Sequence, residues 1–499
     1  HTHEGGSGRK LFEGLGIAND LVLFEQNHDG YDHNIVGDQH FKMPAGVEHL
    51  KAALQAKYPS EKRAIAQYLW MVEQVHQELH DATVIDSWKD IITMPFRTRH
   101  IGRMGWWKLR KVQDFYLKDP YLKTFLALQC GNYGLSPKDA PFVVHTVLAN
   151  HCMSGTMYPR GGGAAIVKAF TKNIKKLGGE IRTSAGVKKV IIEKVENGYQ
   201  TTGVELHTGE KLFAKHIVSN ADPHQTLFKM VGESFLSKKL LKKLNSTKYT
   251  AAALNLFLIV DMDLRKAGMD SGNIWYAEQP DLDAVFSQFM EKDILKKEDF
   301  PAMFITSPTL KDPVSFDGKH HTVEAIAFVN YAAFEKFENL KYGERSEEYE
   351  LFKEKIIAKM LRTVEKCVPG ITKGTIMAEL GTPTTANHYI NSTEGNSYGP
   401  SMILSQLGPL RFSPKTEIDN LYLCGAATLS HGILGAANSG VITAANILNC
   451  SQEDLLNNKG GQHLRTYLAE DDTNWPDWLK KKQKIRILRG ERKVKPIII

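Results

Sequence analysis

Four glycines near the end of the chain are the residues with the most chemical promise. In "NLYLCGAATLSHGILGAANSGVITAANIL" (residues 420–448), Leu421, Leu423 and Cys424 read as a short apolar strand. Gly425, Gly432, Gly435 and Gly440 follow, and Ala436 to Leu448 runs in small and aliphatic residues like a buried helix. Glycine has no Cβ, so a backbone N–H can come against a phosphate or a ring edge, and a helix N-terminus offers about half a positive charge. Strand, glycine turn and small-residue helix therefore suit a nucleotide cofactor, with the helix beginning near Leu434 or Gly435. A tightly packed strand–helix turn with no ligand has the same composition.

A dinucleotide fold usually carries a second glycine turn, G-x-G-x-x-G, near its start. This chain opens "HTHEGGSGRKLFEGLGIAND", where no strand precedes Gly5, Gly6 and Gly8 and the spacing is wrong. Elsewhere, "IITMPFRTRHIGRMGWWKLRKV" (91–112) interleaves Arg99 and other cations with Trp106 and Trp107. That mixture suits a surface dipping into a lipid headgroup layer, and equally a solvated basic face over core tryptophans. His388, Tyr389, Asn396 and Tyr398 are polar groups that either position a substrate or satisfy a loop backbone. No Ser-His-Asp arrangement, metal-ligand cluster or P-loop can be argued, so no metal is expected.

The elements that would position these residues are legible in places. From Ser60, Ile65, Leu69, Val72, Val75 and Leu79 recur at helical spacing. "YPRGGG" (158–163) is a tight loop, Ala164 to Leu177 has helix composition, and Gly178-Gly179 stops it. "EIRTSAGVKKVIIEKV" and "YQTTGVELHT" read as strands of a hairpin across Asn197-Gly198. "AAALNLFLIV" and "HTVEAIAFVN" read as strands, and Phe352, Ile356, Met360 and Val364 mark a long helix ended by Pro369-Gly370.

Three blocks, in order, resemble the phytoene desaturase-like FAD oxidoreductases, the group of carotenoid desaturases, carotenoid isomerases and all-trans-retinol saturases. They are "GTMYPRGGGAAIVKAFTKNIKKLGGEIRTSAGVKKVIIE", "ELGTPTTANHYINSTEGNSYGP" and "YLCGAATLSHGILGAANSGVITAANIL". The resemblance implies an α/β fold with a glutathione-reductase-type FAD-binding domain assembled from residues 1–50, 155–230 and 405–450. An interleaved α+β substrate domain would come from 51–154 and 231–404, and a basic tail from 479–499. It implies that Gly425, Ala426, Gly432, Ile433, Gly435 and Ala436 line the flavin, with Gly161, Gly162, Gly163 and Val187 near the FAD-binding core. Tyr389 and Tyr398 would face the substrate, and Arg99, Trp106 and Trp107 the membrane. The family's G-x-G-x-x-G turn would lie upstream of His1. Where the family often has Ser-Thr-x-Pro-Gly, this chain has Ala427 to His431. His431 would donate to a flavin carbonyl or a substrate oxygen, or be a surface loop histidine.

Composition narrows the classes. The chain is 42% hydrophobic and 24% charged, an ordinary globular balance for 499 residues and more than one core. No apolar run reaches the roughly 18 residues a spanning helix needs. The five cysteines are scattered and never C-x-x-C, which argues against a disulfide framework and for a reducing compartment. Lys480 to Lys495 holds nine Lys or Arg and one Glu, so the net +7 sits in the tail and the body is close to neutral. A nucleic-acid-binding body is unsupported, and the tail after Trp478 reads as disordered. The expected activity is desaturation or saturation of a carbon–carbon bond in a long apolar isoprenoid, carotenoid or retinoid, by hydride transfer with flavin N5. Redox-neutral cis–trans isomerisation and a cofactor-free lipid-binding scaffold are the alternatives. The partners expected are an apolar substrate and a peripheral membrane surface, with the electron acceptor left open.

Overall fold

A computed structural model describes residues 6–82, 88–341, 343–458 and 460–490. Its first strand, β1 (Val22–Glu25), is buried over Val22, Leu23 and Phe24. β2 (Asp32–Val36) and β3 (Gln39–Met43) form a hairpin turned through Gly37, whose φ of 56° favours glycine. After a helical region comes β4 (Met157–Pro159), antiparallel to β1. β5 (Val187–Val195), β6 (Gly198–Leu206) and β7 (Lys211–Phe213) make an antiparallel sheet, with Val195 opposite Gly198 at the predicted hairpin. β8 (Ile217–Ser219) follows.

The largest sheet takes its remaining strands from the middle of the chain: β9 (Ala252–Val260), β10 (Asn273–Ala277), β11 (Ala302–Thr306), β12 (His321–Val329) and β13 (Thr375–Gly381). Its order is β13-β9-β12-β11-β10-β2-β3, antiparallel except where β10 meets β2. Along β9, Ala252, Leu254, Leu256, Leu258 and Val260 alternate inward, the period-2 pattern of a strand with one face on a core. The helix Glu347–Cys367 covers that face with Ile356, Met360 and Val364, each fully buried and worth about 1.5–3 kcal/mol. Ser346 caps its first turn by accepting the Tyr349 N–H at 3.2 Å. The helices Lys62–Ala82 and Phe142–Met153 bury Leu69, Val72 and Phe142 in a second core, which reaches Trp275 of β10.

β14 (Leu421–Leu423) pairs in parallel with β8, and β15 (Arg465–Leu468) with β1. A parallel pair is normally covered on both faces. Here Val218 of β8 is 46% exposed, and the helix Gly163–Lys176 with its C-cap leaves Val167 and Leu177 at 65% and 78%.

Within residues 6–50, β1 joins β4 and β15, while β2 and β3 close the edge of the largest sheet. The tail expected to be disordered is instead a helix, Asp477–Gly490. It buries Leu479 and sets Arg486 Nε on the Ser315 carbonyl at 3.3 Å. A Lys/Arg run signals solvation, yet the same residues are good helix formers once one apolar anchor docks. Residues 491–499, the rest of that tail, lie outside the described residues, as do His1 to Gly5.

Candidate active site

β14 delivers the chain into Gly425, whose φ of 90° is a left-handed value. A Cβ there would stand 1.9 Å from Asn220 Oδ1, just past β8, so the two strand ends meet closely. The Gly425 N–H donates to Ser439 Oγ at 2.5 Å, and Ser439 Oγ donates to the Ala436 carbonyl at 2.6 Å. Thr443 Oγ1 reaches back to the Leu423 carbonyl at 3.1 Å. These bonds lock the glycine helix, Gly432–Leu448, against the strand that precedes it. The helix begins two or three residues earlier than its small-residue composition predicts. His431 is the N-cap residue but makes no side-chain cap, so the first amides of the helix keep their donors.

Three side chains gather at this loop. Arg411 is 6% exposed and donates to the Ala426 carbonyl. Its Nε and second terminal nitrogen are buried without any partner, and no carboxylate lies within 4.0 Å of it among the described residues. Burial pushes this guanidinium down to about 10. An uncompensated buried guanidinium is costly unless an acceptor faces it. His431 stacks on Tyr398 with centroids 5.6 Å apart, and Tyr398 Oη donates to the Gly131 carbonyl at 3.1 Å. Burial lowers His431 to about 4 and raises Tyr398 to about 12, so both rings are neutral at pH 7.

His431 Nε2 lies 3.1 Å from the Pro400 carbonyl, which can only accept. The neutral ring therefore carries its hydrogen on Nε2, and buried Nδ1 is left as an unpaired acceptor. His431 thus spends its one N–H on the chain's own Pro400 carbonyl. Unpaired donors on Arg411 beside an unpaired acceptor on His431 complement the alternating carbonyl and N–H edge of a flavin pyrimidine ring. With the open helix N-terminus, these residues fit FAD.

The middle segment is arranged differently. The Gly161 N–H donates to Asp312 Oδ2 at 2.7 Å, so it is not free for a phosphate. Gly162 (φ 66°) and Gly163 open the next helix beside a cavity of about 440 Å³ lined by Arg160, Lys168 and Asp312. Val187 begins β5, in the separate three-stranded sheet.

A family model, flavin containing amine oxidoreductase, matches residues 109–448. The chain belongs to that family. Among curated proteins this flavoprotein is 24% identical to all-trans-retinol 13,14-reductase of Danio rerio over 462 residues, covering 87% of the chain and 74% of the relative. It is 28% identical to the chloroplastic prolycopene isomerase of Arabidopsis thaliana over 337 residues, 66% and 52% of the two chains. Those relatives belong to the carotenoid desaturase, isomerase and retinol saturase group. Among solved structures, wild-type putrescine oxidase bound to putrescine aligns over 88% of this chain and 85% of its own, with a TM-score of 0.56 at 12% identity. Cyclohexylamine oxidase from Brevibacterium oxydans aligns over 90% and 86%, with 0.52 at 13%. The α/β fold is therefore that of the FAD-dependent amine oxidases, and the chain is an FAD-dependent oxidoreductase with FAD as its cofactor.

Other predicted residues fall in several places. Ala426 and Ala436 flank the Gly425 turn, Ile433 is 56% exposed on the first helical turn, and a Cβ on Gly435 would meet the Ser430 carbonyl at 2.5 Å. Tyr389 is 62% exposed at the end of the helix Pro383–Ile390, its ring against His388. Asn396 serves its own loop, accepting from the Gly399 N–H at 2.5 Å. Trp106 is 52% exposed, whereas Trp107 packs inward under Lys111 Nζ at 3.9 Å. Arg411 has no sequence signal: in "PLRFSP" it reads as a surface loop cation.

Proposed function

We propose that this flavoprotein adds two hydrogens across a carbon–carbon double bond of a long apolar, isoprenoid-like substrate, or removes two from a single bond to form one. The retinol reductase relatives support the substrate class. The observation that carries the reading is the meeting of Arg411, His431 and Tyr398 at the Gly425 turn. Bound FAD supplies hydride exchange at its N5. The chain's own residues bind and orient. The Arg411 guanidinium with the glycine-helix N-terminus would stabilise negative charge on the pyrimidine edge. His431 Nδ1 accepts from an N–H or O–H there, and the Tyr398 ring shields that side from water. Position and charge serve the hydride half of the reaction at this loop, and the second hydrogen is a proton exchanged with solvent.

The test is anaerobic incubation of the FAD-loaded chain, reduced with dithionite, with all-trans-retinol. A product two hydrogens heavier supports the reading. Flavin retained with every retinoid and carotenoid tried unchanged in mass would sink it. A product of unchanged mass and altered double-bond geometry would favour redox-neutral isomerisation, the reading supported by the prolycopene isomerase likeness.

Peripheral membrane docking is part of the proposal. Phe96, Trp106 and Phe115 are 81%, 52% and 56% exposed, and Arg99 is exposed three residues after Phe96. Aromatic residues beside cations suit an anionic headgroup layer, and no helix among the described residues is long and apolar enough to cross a membrane. The combined Phe96→Ser, Trp106→Ser and Phe115→Ser variant is expected to lose co-sedimentation with phosphatidylserine vesicles. Unchanged sedimentation refutes the docking.

A further inference from the structure

The basic terminal helix, Asp477–Gly490, has no part in the chemistry above and stands beside a cation-lined cavity. This cavity of about 440 Å³, next to the Gly163–Lys176 helix, is walled by Val22, Arg160, Lys168, Lys172 and two carboxylates, Asp20 and Asp312. Its volume lies within the range of roughly 300–1,000 Å³ usual for small-molecule sites. Both carboxylates are already engaged. Lys172 Nζ holds Asp20 Oδ1 at 2.5 Å, while the Gly161 and Val314 N–H groups donate to the two oxygens of Asp312 at 2.7 and 3.2 Å.

The sheet β15-β1-β4 sets two arginines on one face. Val22 of β1 pairs with Arg465 of β15 on one side, and on the other its carbonyl accepts the Arg160 N–H at 2.9 Å, just past β4. Directly opposed residues of neighbouring strands point the same way. Both guanidiniums therefore reach one ring: Trp478 of the terminal helix has its centroid 5.8 Å from Arg160 and 5.4 Å from Arg465. Lys482, one turn further along that helix, brings its Nζ to 5.4 Å from the same centroid. Buried Leu479 and the contact of Arg486 Nε with the carbonyl of Ser315, a residue of the cavity wall, hold the helix there.

These cations repel one another and have no close counter-charge. Among the described residues, no carboxylate lies within 4.0 Å of Arg160, Lys168, Arg465 or Lys482. Arg160 Nε is buried without a partner, and Arg465 has only the neutral Asn19 carbonyl, at 2.8 Å. The Arg160 charge, then burial and Arg465, hold Lys482 below the ordinary lysine value. The Trp478 face attracts each cation weakly and neutralises none. Cations brought from two strand ends and two helices to one cavity focus a positive field that a multiply charged anion would relieve. Guanidinium forks beside an ammonium match the oxygens of a phosphate. Arg465, Trp478 and Lys482 all lie beyond residue 448, where the match to the flavin family ends, so the arrangement is an addition to the matched segment.

We propose that Arg160, Arg465 and Lys482, with Lys168 of the cavity wall, bind the phosphate group of a ligand other than FAD, whether a soluble phosphate ester or an anionic lipid headgroup. Binding of this kind is independent of the reaction at the flavin.

The experiment is calorimetric titration of the full chain with sodium diphosphate, with and without FAD, beside flotation with phosphatidylcholine vesicles carrying phosphatidic acid. One saturable diphosphate site per chain, or flotation that depends on phosphatidic acid, is expected. Diphosphate binding alone identifies a soluble ligand, and vesicle binding alone a lipid headgroup. Lys482→Gln, at an exposed position, should weaken the binding about three- to tenfold. Arg160→Gln with Arg465→Gln should weaken it about tenfold or more. Lys484→Gln removes the same charge from another face of the same helix and should leave binding within about twofold. No binding of either probe, a loss in Lys482→Gln no greater than in Lys484→Gln, or binding that FAD abolishes would each overturn the assignment. Lys482 is exposed, so its variant decides the matter even where the double arginine variant fails to fold.

Discussion

Two glycines of one helix give opposite predictions for the same substitution. Gly435 and Gly440 both lie within Gly432–Leu448, so Gly→Ala at either gains the same helix propensity, about 0.8–1.0 kcal/mol. At Gly440 nothing lies within 4 Å of the new Cβ, and the whole gain should appear as stability. At Gly435 the Cβ would sit 2.5 Å from the Ser430 carbonyl oxygen, 2.7 Å from its carbon and 2.8 Å from its Cβ. Carbon contacts are comfortable at about 3.5–4.0 Å, so roughly 1 Å must be recovered. Most of the obstructing atoms are backbone, which cannot swing aside, and overpacking of this kind costs about 1–3 kcal/mol. Because propensity cancels, urea denaturation followed by circular dichroism should separate the two variants by about 1–3 kcal/mol, Gly440→Ala being the more stable. Equal stabilisation by both would refute the close approach of the Ser430 turn to this helix. The active-site reading would then lose the geometry that places His431.

Acid should weaken the fold through two histidines. Burial lowers His145 and His431 to about 4, below the ordinary 6.5, so the unfolded chain takes up protons first. Their contribution is complete above about pH 6.5 and is lost as pH falls toward 4, up to roughly 3 kcal/mol each at 1.36 kcal/mol per unit. His145→Gln should flatten the urea midpoint between pH 7 and 5, and an unchanged slope would count against it. Lys311 works in the alkaline range. Burial lowers it to about 8 from 10.5, so the folded chain releases its proton first and stability rises from pH 8 toward 10.5, again by roughly 3 kcal/mol at most. The stability difference between wild type and Lys311→Met should shift in favour of wild type over that interval. A difference independent of pH would show that the ammonium is not buried as described.

The amino-acid sequence by itself determined the local elements and the family. Period-two patterns marked β9 and β12, four-residue spacing marked Glu347–Cys367, and the Gly425–Leu448 block pointed to the flavin loop, because each rests on neighbours within one turn or strand. Charge patterning misled at Asp477–Gly490, where one buried contact face turns a solvated run into a docked helix. Only the tertiary structure decided which polar residues meet. Arg411 and Ala426 are 15 positions apart, Tyr398 and Gly131 are 267, and Lys311 and Asn273 are 38. Whether a lysine or arginine is solvated or buried without a close ion pair depends on what the rest of the chain packs around it. Hydrogen-bond direction is settled the same way: the Pro400 carbonyl, not the identity of residue 431, makes His431 an acceptor at Nδ1.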